Sequence, residues 1–171
     1  GITTAGVTIN DPVNGAQVRA IIDLNLVADG TITATLSSTY MDQVDADGNA
    51  IGLNRISRAG AYTINLAGDT QGRTGTPAVE SITAGNIVAL NALTTAPLNV
   101  TSSLMTVAAA DIADVTNTFI AAGLGPNATA ATIANPTVTG VNDIAVTVNP
   151  AATITVAAGN EVALGTTGLV T

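Results

Sequence analysis

The segment 42–49 carries the densest group of side chains that could do chemistry. It holds three carboxylates and one side-chain amide within eight residues: Asp42, Asp45, Asp47 and Asn49. Hard cations such as Ca²⁺ bind carboxylate, amide and carbonyl oxygens that a tight loop presents together. One interpretation of this segment is therefore a structural calcium site formed by these four residues.

The spacing of these residues departs from the EF-hand calcium loop. Counted from Asp45, the sixth position is Ala50, where that loop needs glycine, and the twelfth is Ile56, where it needs a bidentate glutamate. Aspartate and glycine are also the residues that tight turns prefer, because Asp accepts nearby backbone hydrogen bonds and Gly adopts positive φ. A solvated hairpin tip at Asp47 and Gly48 explains the same residues without a metal, and the sequence favours this second interpretation.

The residue types that are absent exclude most enzyme chemistry. The chain has no His and no Cys, and its four basic residues are all Arg. It therefore cannot form a Ser-His-Asp or Cys-His nucleophile, a zinc site of the usual type, a disulfide, a P-loop or a Schiff base. Glu80 and Glu161 are the only glutamates, and aromatic residues make up 2% of the chain. We predict that the protein is not an enzyme and that calcium is the one cofactor to consider.

Charge excludes two classes of partner. The formal net charge is −8, and only Arg19, Arg55, Arg58 and Arg73 are positive. Binding to phosphate backbones needs several cations that displace counterions, and an anionic membrane surface would repel this chain. We expect neither a nucleic acid nor a membrane as partner. We also hypothesise that Arg55, Arg58 and Arg73 pair with the acidic segment 42–47 of a neighbouring subunit.

The most regular pattern in the sequence is an alternation of apolar and polar residues. Two alternating segments, 17–27 and 31–40, flank a turn at 28–30, which predicts an antiparallel hairpin. In the second segment Ile32 and Leu36 fall on the core side, and a row of threonines falls on the other side. The hairpin is thus expected to present one apolar face and one threonine-rich face.

Further strands and one helix follow from the same reasoning. Alternation and turn residues predict strands at 61–66, 86–93, 98–105, 144–148, 153–156 and 161–164. A stripe of apolar residues at helical spacing predicts one α-helix over about 107–122. Many short strands beside one helix predict a mainly β chain, an antiparallel β-sandwich or barrel-like domain with one flanking α-helix. We expect a single domain over 1–171, in which 1–9 and 164–171 could act as terminal extension strands.

A short sequence motif occurs twice. Ala84-Gly85-Asn86-x-Val88-Ala89-Leu90 recurs as Ala158-Gly159-Asn160-x-Val162-Ala163-Leu164. Gly-Asn before β-branched residues is common in turns, so we interpret both copies as turns that lead into strands. The alternative is a pair of equivalent positions in a pseudo-symmetric subunit. No fixed repeat length accompanies the motif.

The composition indicates a protein whose function lies in its surface. Small Ala, Thr, Gly and Asn side chains lose little rotamer entropy on ordering, and tight interfaces are depleted of Lys and Glu. We therefore predict a self-assembling structural subunit whose partners are copies of itself or companion proteins. The first version is a virion component, such as a capsid-decoration or tail-tube protein. The alternative is a secreted subunit of a pilus-like filament or surface layer that exchanges terminal strands, which would place it outside the cell. A carbohydrate- or host-binding module is the third hypothesis.

Overall fold

The computed structural model describes residues 6–24, 30–71, 80–107, 112–123, 138–148 and 155–171. Within them the chain forms ten β-strands, four α-helices and one 3-10 helix. The strands are β1 Val7–Thr8, β2 Ile32–Thr35, β3 Tyr40–Asp42, β4 Ala61–Leu66, β5 Gly68–Thr70, β6 Ser81–Thr83, β7 Leu98–Val100, β8 Leu104–Val107, β9 Val138–Thr139 and β10 Ala145–Val148. The helices are α1 Gly15–Asp23, the 3-10 helix Leu53–Arg55, α2 Ala84–Leu93, α3 Ile112–Ala121 and α4 Val156–Gly165.

The strands form parallel sheets. Sheet A has five strands in the order β1-β2-β4-β7-β9, and every neighbouring pair is parallel. Sheet B has three parallel strands in the order β10-β8-β6, and β3 pairs with β5 in a further parallel pair. Neighbours in sheet A follow one another along the chain. The chain therefore winds as a stack of coils, numbered 1 to 5, each of which begins with one strand of sheet A.

This architecture corrects the predicted antiparallel β-sandwich or barrel with one helix. All pairings between the named strands are parallel, and the described residues include four α-helices rather than one. The prediction was wrong because alternation of apolar and polar residues indicates that one face of a strand is buried and does not specify the direction of the neighbouring strand. Most parallel sheets are covered on both faces and give continuous apolar strands. Sheet A has one exposed face, so its strands alternate although they are parallel.

Three predicted strands lie in helices instead. The segment 17–27 falls largely on α1, where the Asn14 side chain accepts from the Gln17 N–H and the Gln17 side chain accepts from the Asn14 N–H, both at 2.9 Å. This capping box fixes the helix start, and Val18 and Ile22 then lie on one helix side. The predicted strands 86–93 and 161–164 lie within α2 and α4.

Other sequence predictions match the structure. The strand expected at 61–66 is β4, and 144–148 contains β10. The single strand expected at 98–105 was wrong in one respect, because this segment holds two strands, β7 of sheet A and the start of β8 of sheet B. The helix expected over about 107–122 corresponds to α3. Residues 25–29, which include most of the predicted turn, and 153–154 of a predicted strand lie outside the described residues.

One apolar residue from each coil forms a continuous row inside the stack. Val13 bridges to Leu36, Ile64 pairs with Leu98, and Leu98 pairs with Val138. Leu36 lies one position beyond the printed β2–β4 register, which places it beside Ile64. All five side chains are buried. Full burial of one such side chain contributes about 1.5–3 kcal/mol, so this row is a principal source of stability.

The coils differ in length, which explains why no repeat length is visible in the sequence. Val7 pairs with Ile32, 25 residues later, whereas Leu98 pairs with Val138, 40 residues later. The coils are held in register by the inward-facing row rather than by a constant period. Insertions between strands are tolerated because loop-closure entropy grows only slowly with loop length.

Candidate assembly surfaces

The acidic segment forms a hairpin in which the Asp45 carboxylate accepts hydrogen bonds from its neighbours. The Asp45 Oδ1 accepts from the N–H groups of Asp47 and Asn49 at 3.0 and 2.9 Å, and its Oδ2 accepts from the Asn49 side-chain amide at 3.0 Å. Gly48 has φ +85°, the left-handed conformation that the turn needs. The hydrogen bond from the Asn49 side chain, followed by those from the backbone, lowers the pKa of Asp45 below its usual value.

The four residues of the calcium interpretation occupy different parts of this hairpin. Asp42 ends β3, and its carbonyl accepts from the Gln71 N–H at 3.1 Å. Asp45 and Asn49 are joined at the tip, and Asp47 lies between them in the turn. Among the described residues no three Asp or Glu side chains converge in a way that could hold a metal ion. The calcium site stays a prediction. The hydrogen bonds between Asp45 and Asn49 explain the presence of these two residues without a metal.

The described arginines differ in their exposure and in their hydrogen-bond partners. Arg19 forms an ion pair with Asp23 at 2.8 Å on α1. The Arg58 Nη2 donates to the Gly30 carbonyl at 2.7 Å, and Arg58 is half-buried. Arg55 is exposed on the 3-10 helix, and Arg73 lies outside the described residues. Among the described residues of the subunit-pairing hypothesis, Arg55 is therefore the arginine that is exposed to solvent.

A carboxylate that the sequence did not single out organises the start of α2. The Asp69 Oδ1 accepts from the Asn86 side chain at 2.7 Å, and its Oδ2 accepts from the Thr83 N–H at 3.2 Å. A negative charge at a helix N-terminus is stabilising, because the first N–H groups of a helix lack partners. Asp69 thus connects β5 to the start of α2 through side-chain hydrogen bonds. Because Asp69 lies in a segment with Gly68 and Gly72, the sequence alone did not indicate this structural role.

The outer face of sheet A is uncharged. Along β2 the side chains of Ile32 and Ala34 are buried while Thr33 and Thr35 are exposed, which confirms the predicted threonine row. The outward positions of the described strands share small or amide side chains, namely Thr8, Thr33, Thr35, Ala61, Thr63, Asn65, Asn99 and Thr139. This face is therefore a flat polar surface without a charge.

Side-chain hydrogen bonds cross the strands on this face. The Asn99 amide donates to the Asn65 Oδ1 at 3.3 Å, and the Thr139 hydroxyl donates to the Asn99 Oδ1 at 3.0 Å. The three residues are register partners in β4, β7 and β9. Such a ladder satisfies part of the polar surface internally and stiffens coils 3 to 5 relative to one another.

The exposed apolar side chains lie at the two ends of the stack. Four large apolar residues of the described part of the chain are exposed: Leu24 (65%), Val156 (82%), Leu164 (69%) and Leu169 (70%). Leu24 follows α1 in coil 1, and the other three belong to α4 and to the segment after it. In the described parts of coils 2 to 4 no large apolar side chain is exposed. Apolar surface is thus concentrated where the stack stops.

Backbone groups are also left free at both ends. The N–H groups of Val7 and Ile9 donate to Thr31 and Thr33, so the N–H and C=O of Thr8 point to the outer edge of sheet A. At the other end Leu169 and Thr171 bond to Val146 and Val148 of β10, which leaves the backbone groups of Val170 pointing outward. No strand in the described part of the chain pairs with either edge. Such edges are templates for pairing with another chain.

Three helices form a packed layer, in which α2 contacts α3 and α3 contacts α4. At the other end of the stack α1 contacts the 3-10 helix. The α3–α4 contact is close, because a Cβ added at Gly165 would lie 2.5 Å from the Phe119 ring. Among the α4 side chains that the structure describes, the exposed ones are Val156, Ala157, Asn160, Ala163 and Leu164, which occupy about a third of the helix circumference at 3.6 residues per turn.

The repeated motif lies in two helices of this layer. Its first copy is in α2 and its second copy is in α4, so the interpretation of both as turns leading into strands was wrong. The two copies occupy the helices of coils 3 and 5. Leu90 in the first copy is 1% exposed, whereas Leu164, the same position of the second copy, is 69% exposed. The two copies differ at the variable position, Ile87 and Glu161, and the final leucine is buried in coil 3 and exposed in coil 5.

No protein-family model, curated protein or solved structure matches the chain. Within the described residues no helix has the length and apolar character that crossing a bilayer requires. The functional interpretation of the surfaces consequently comes from their own geometry and chemistry.

Proposed function

We propose that the protein is a non-enzymatic structural subunit that assembles with copies of itself through the ends of its coil stack. The observation that carries the proposal is the location of the exposed apolar side chains. Leu24 lies at one end, Leu164 lies at the other, and the coils between them expose no large apolar side chain in their described parts. Association removes such surface from water, which is the main favourable term in most protein assembly.

The two ends differ, and this difference determines the kind of assembly. One end is formed by β1 and α1, and the other by α4 and the segment that pairs with β10. A contact between unlike surfaces is heterologous, and it produces a ring when its rotation closes and a filament when it does not. End-to-end contact therefore supports a tube or filament subunit. A virion and the cell exterior are the two settings that we retain for it.

The segments expected to exchange strands, 1–9 and 164–171, support this proposal through their described parts. β1 falls within 1–9, and the segment that pairs with β10 falls within 164–171. Each leaves backbone groups directed away from its own sheet, at Thr8 and at Val170. Strand addition between subunits satisfies such groups through main-chain hydrogen bonds.

The carbohydrate-binding hypothesis draws less support from the geometry. A sugar-binding face is lined by exposed aromatic rings, and the sequence offers Tyr40 and Tyr62 for it. Tyr62 is fully buried, and burial raises the pKa of its phenol. Tyr40 alone is half-exposed in β3. A single ring on this surface does not form a stacking platform.

The experiment that tests the proposed function is the dependence of particle mass on concentration. Sedimentation velocity from about 1 µM to about 1 mM should show growth to species larger than the monomer. Negative-stain micrographs of the concentrated sample should show tubes, filaments or rings. A monomer at every concentration would refute the proposal.

Salt distinguishes apolar end contacts from the Asp–Arg pairing hypothesis. Sulfate strengthens apolar burial, whereas ionic contacts between exposed charges are screened by salt. We expect assembly to increase with sodium sulfate and to change little with sodium chloride. Dissociation in sodium chloride would instead favour pairing between the segment 42–47 and Arg55 of a neighbour.

A further inference from the structure

We propose that the exposed side of α4 packs against the α1 end of a second copy of the chain, with Leu164 and Ala163 of one copy meeting Leu24 of the next. This inference rests on the proposed function and specifies its interface. We infer a second copy as the partner because both ends of the stack expose apolar side chains, with Leu24 at one end and Leu164 at the other.

The helix layer supports this arrangement by its continuity. α2 packs on α3, and α3 packs on α4, so each helix in this run covers a side of its neighbour. α4 is the last of the run, and its outward side carries Val156, Ala157, Ala163 and Leu164 with Asn160 among them. An apolar stripe of about 100° or more is the signature of a helix face that packs on another element. The next helix in the layer would cover it.

The repeated motif supports the same conclusion independently. Leu90 and Leu164 hold the same place in two copies of one sequence, and only Leu90 is buried. Both motif copies leave their second alanine exposed, at Ala89 in α2 and at Ala163 in α4. The copies differ in their place in the stack and at the variable position, which is Ile87 in α2 and Glu161 in α4. A second molecule that covers this side of α4 would bury Leu164 as Leu90 is buried in α2.

The opposite end offers a matching surface. Leu24 is 65% exposed directly after α1, and Ala20 is exposed on the same helix. α1 packs against the 3-10 helix of coil 2. The one ion pair described on α1, Arg19 with Asp23, is internally neutral. Placing α1 beside α4 of another copy covers exposed apolar side chains of both ends without burying an unpaired charge from this pair.

Arginine substitutions at matched positions test the interface. Ala163→Arg places a long charged side chain in the proposed contact, and Leu24→Arg does the same at the other end. Ala89→Arg is the control, because it changes the equivalent exposed alanine of the same motif in the middle of the stack. Arginine is a good helix former, and unchanged far-UV circular dichroism verifies that each variant folds.

The expected result has two parts. Ala163→Arg and Leu24→Arg should each weaken self-association about tenfold or more, since a charge is desolvated in an apolar contact, whereas Ala89→Arg should assemble like the unmodified chain. Mixing Ala163→Arg with Leu24→Arg should then produce one-to-one heterodimers that grow no further. Each variant retains one intact end, and only the two intact ends can meet.

Other outcomes overturn the inference in distinguishable ways. If the unmodified chain assembles and Ala163→Arg assembles equally well, the interface is elsewhere and the proposed function stands. If Ala163→Arg stays monomeric, Leu24→Arg still assembles and Ala163→Arg does not join it in the mixture, α4 pairs with α4 of its partner. If the unmodified chain is monomeric throughout, the inference and the proposed function both fail.

Discussion

The Thr94 hydroxyl bonds to both backbone groups of Tyr62. It accepts from the Tyr62 N–H at 2.8 Å and donates to the Tyr62 carbonyl at 2.6 Å, and it also accepts from the Ala96 N–H at 3.0 Å. Thr94 and Tyr62 are both buried. Gly60 and Thr94 form a parallel bridge, and the regular pairing of β4 with β7 begins later, at Ile64 and Leu98. The Thr94 hydroxyl therefore bonds to the β4 backbone at a position where no described strand of coil 4 pairs with it.

Thr94→Val should be clearly destabilising. Valine keeps the shape of threonine but leaves the two Tyr62 backbone groups without this partner, and each buried unsatisfied group costs about 1–3 kcal/mol. We expect a loss of about 3 kcal/mol in the free energy of unfolding, measured by urea denaturation. Thr95→Val is the matched control, because Thr95 is exposed, and it should stay within about 0.5 kcal/mol of the unmodified chain. Equal effects of the two substitutions would contradict the role of the hydroxyl.

Gly165→Ala should weaken the α3–α4 contact. The added Cβ would lie 2.5 Å from the Phe119 ring, and Phe119 is buried and cannot move aside freely. Overpacking of this kind costs about 1–3 kcal/mol, which should appear as a lower Tm in thermal unfolding.

Gly85→Ala is the comparison for that substitution. In α2 the added Cβ would lie 3.2 Å from the Asp114 Oδ2, the end of a flexible side chain. Alanine is about 1 kcal/mol better than glycine inside a helix, so we expect an unchanged or higher Tm. A fall in Tm as large as that of Gly165→Ala would contradict the assignment of the Gly165→Ala effect to the Phe119 contact, because Gly85 has no such ring beside it.

Asp45→Ala should destabilise the protein in a pH-dependent manner. Hydrogen bonds from the Asn49 side chain and backbone hold the pKa of Asp45 below its usual value in the folded state. A depressed folded pKa gives a stabilisation that is present above the unfolded pKa, near 4, and is lost as the pH falls through the folded pKa. The difference in urea midpoint between the unmodified chain and Asp45→Ala should therefore be larger at about pH 6 than at about pH 2.

Asp47→Ala serves as the control for this pH dependence. Asp47 is in the same hairpin, and its backbone N–H, rather than its carboxylate, takes part in the hydrogen bonds described for the turn. The difference in midpoint for Asp47→Ala should be small at both pH values. A pH-independent effect of Asp45→Ala would show that its carboxylate charge is immaterial to the hairpin.

Calcium should leave the Tm of the protein unchanged at millimolar concentration. Both Asp45 side-chain oxygens already accept hydrogen bonds from Asp47 and Asn49, and a cation would have to displace these donors. The measurement is thermal unfolding with calcium and with EDTA. A rise in Tm with calcium that disappears in Asp45→Asn would establish the calcium site formed with Asp42, Asp47 and Asn49.

Several local features were readable in the sequence, and others were present but misinterpreted. The strand 61–66 was predicted correctly because alternation over six residues is a strong local signal. The start of α1 carries a capping box at Asn14 and Gln17, a local helix signal that the predicted strand over 17–27 did not include. In α2 the pair Gly85 and Asn86, which the sequence predicts as a turn, is helical. There the helix is stabilised by tertiary contacts with α3, which local propensity does not contain.

By itself the sequence determined which chemistry is unavailable and which side chains of several strands face inward. The absence of His and Cys and the alternation of Ile32, Thr33, Ala34 and Thr35 are properties of the chain alone. Only the tertiary structure decided that the strands pair in parallel and that Leu164 is exposed while Leu90 is buried. The physical reason is that alternation specifies the face of a strand but not its partner. Partners here lie 25 to 40 residues apart, so the choice depends on contacts that no local segment contains.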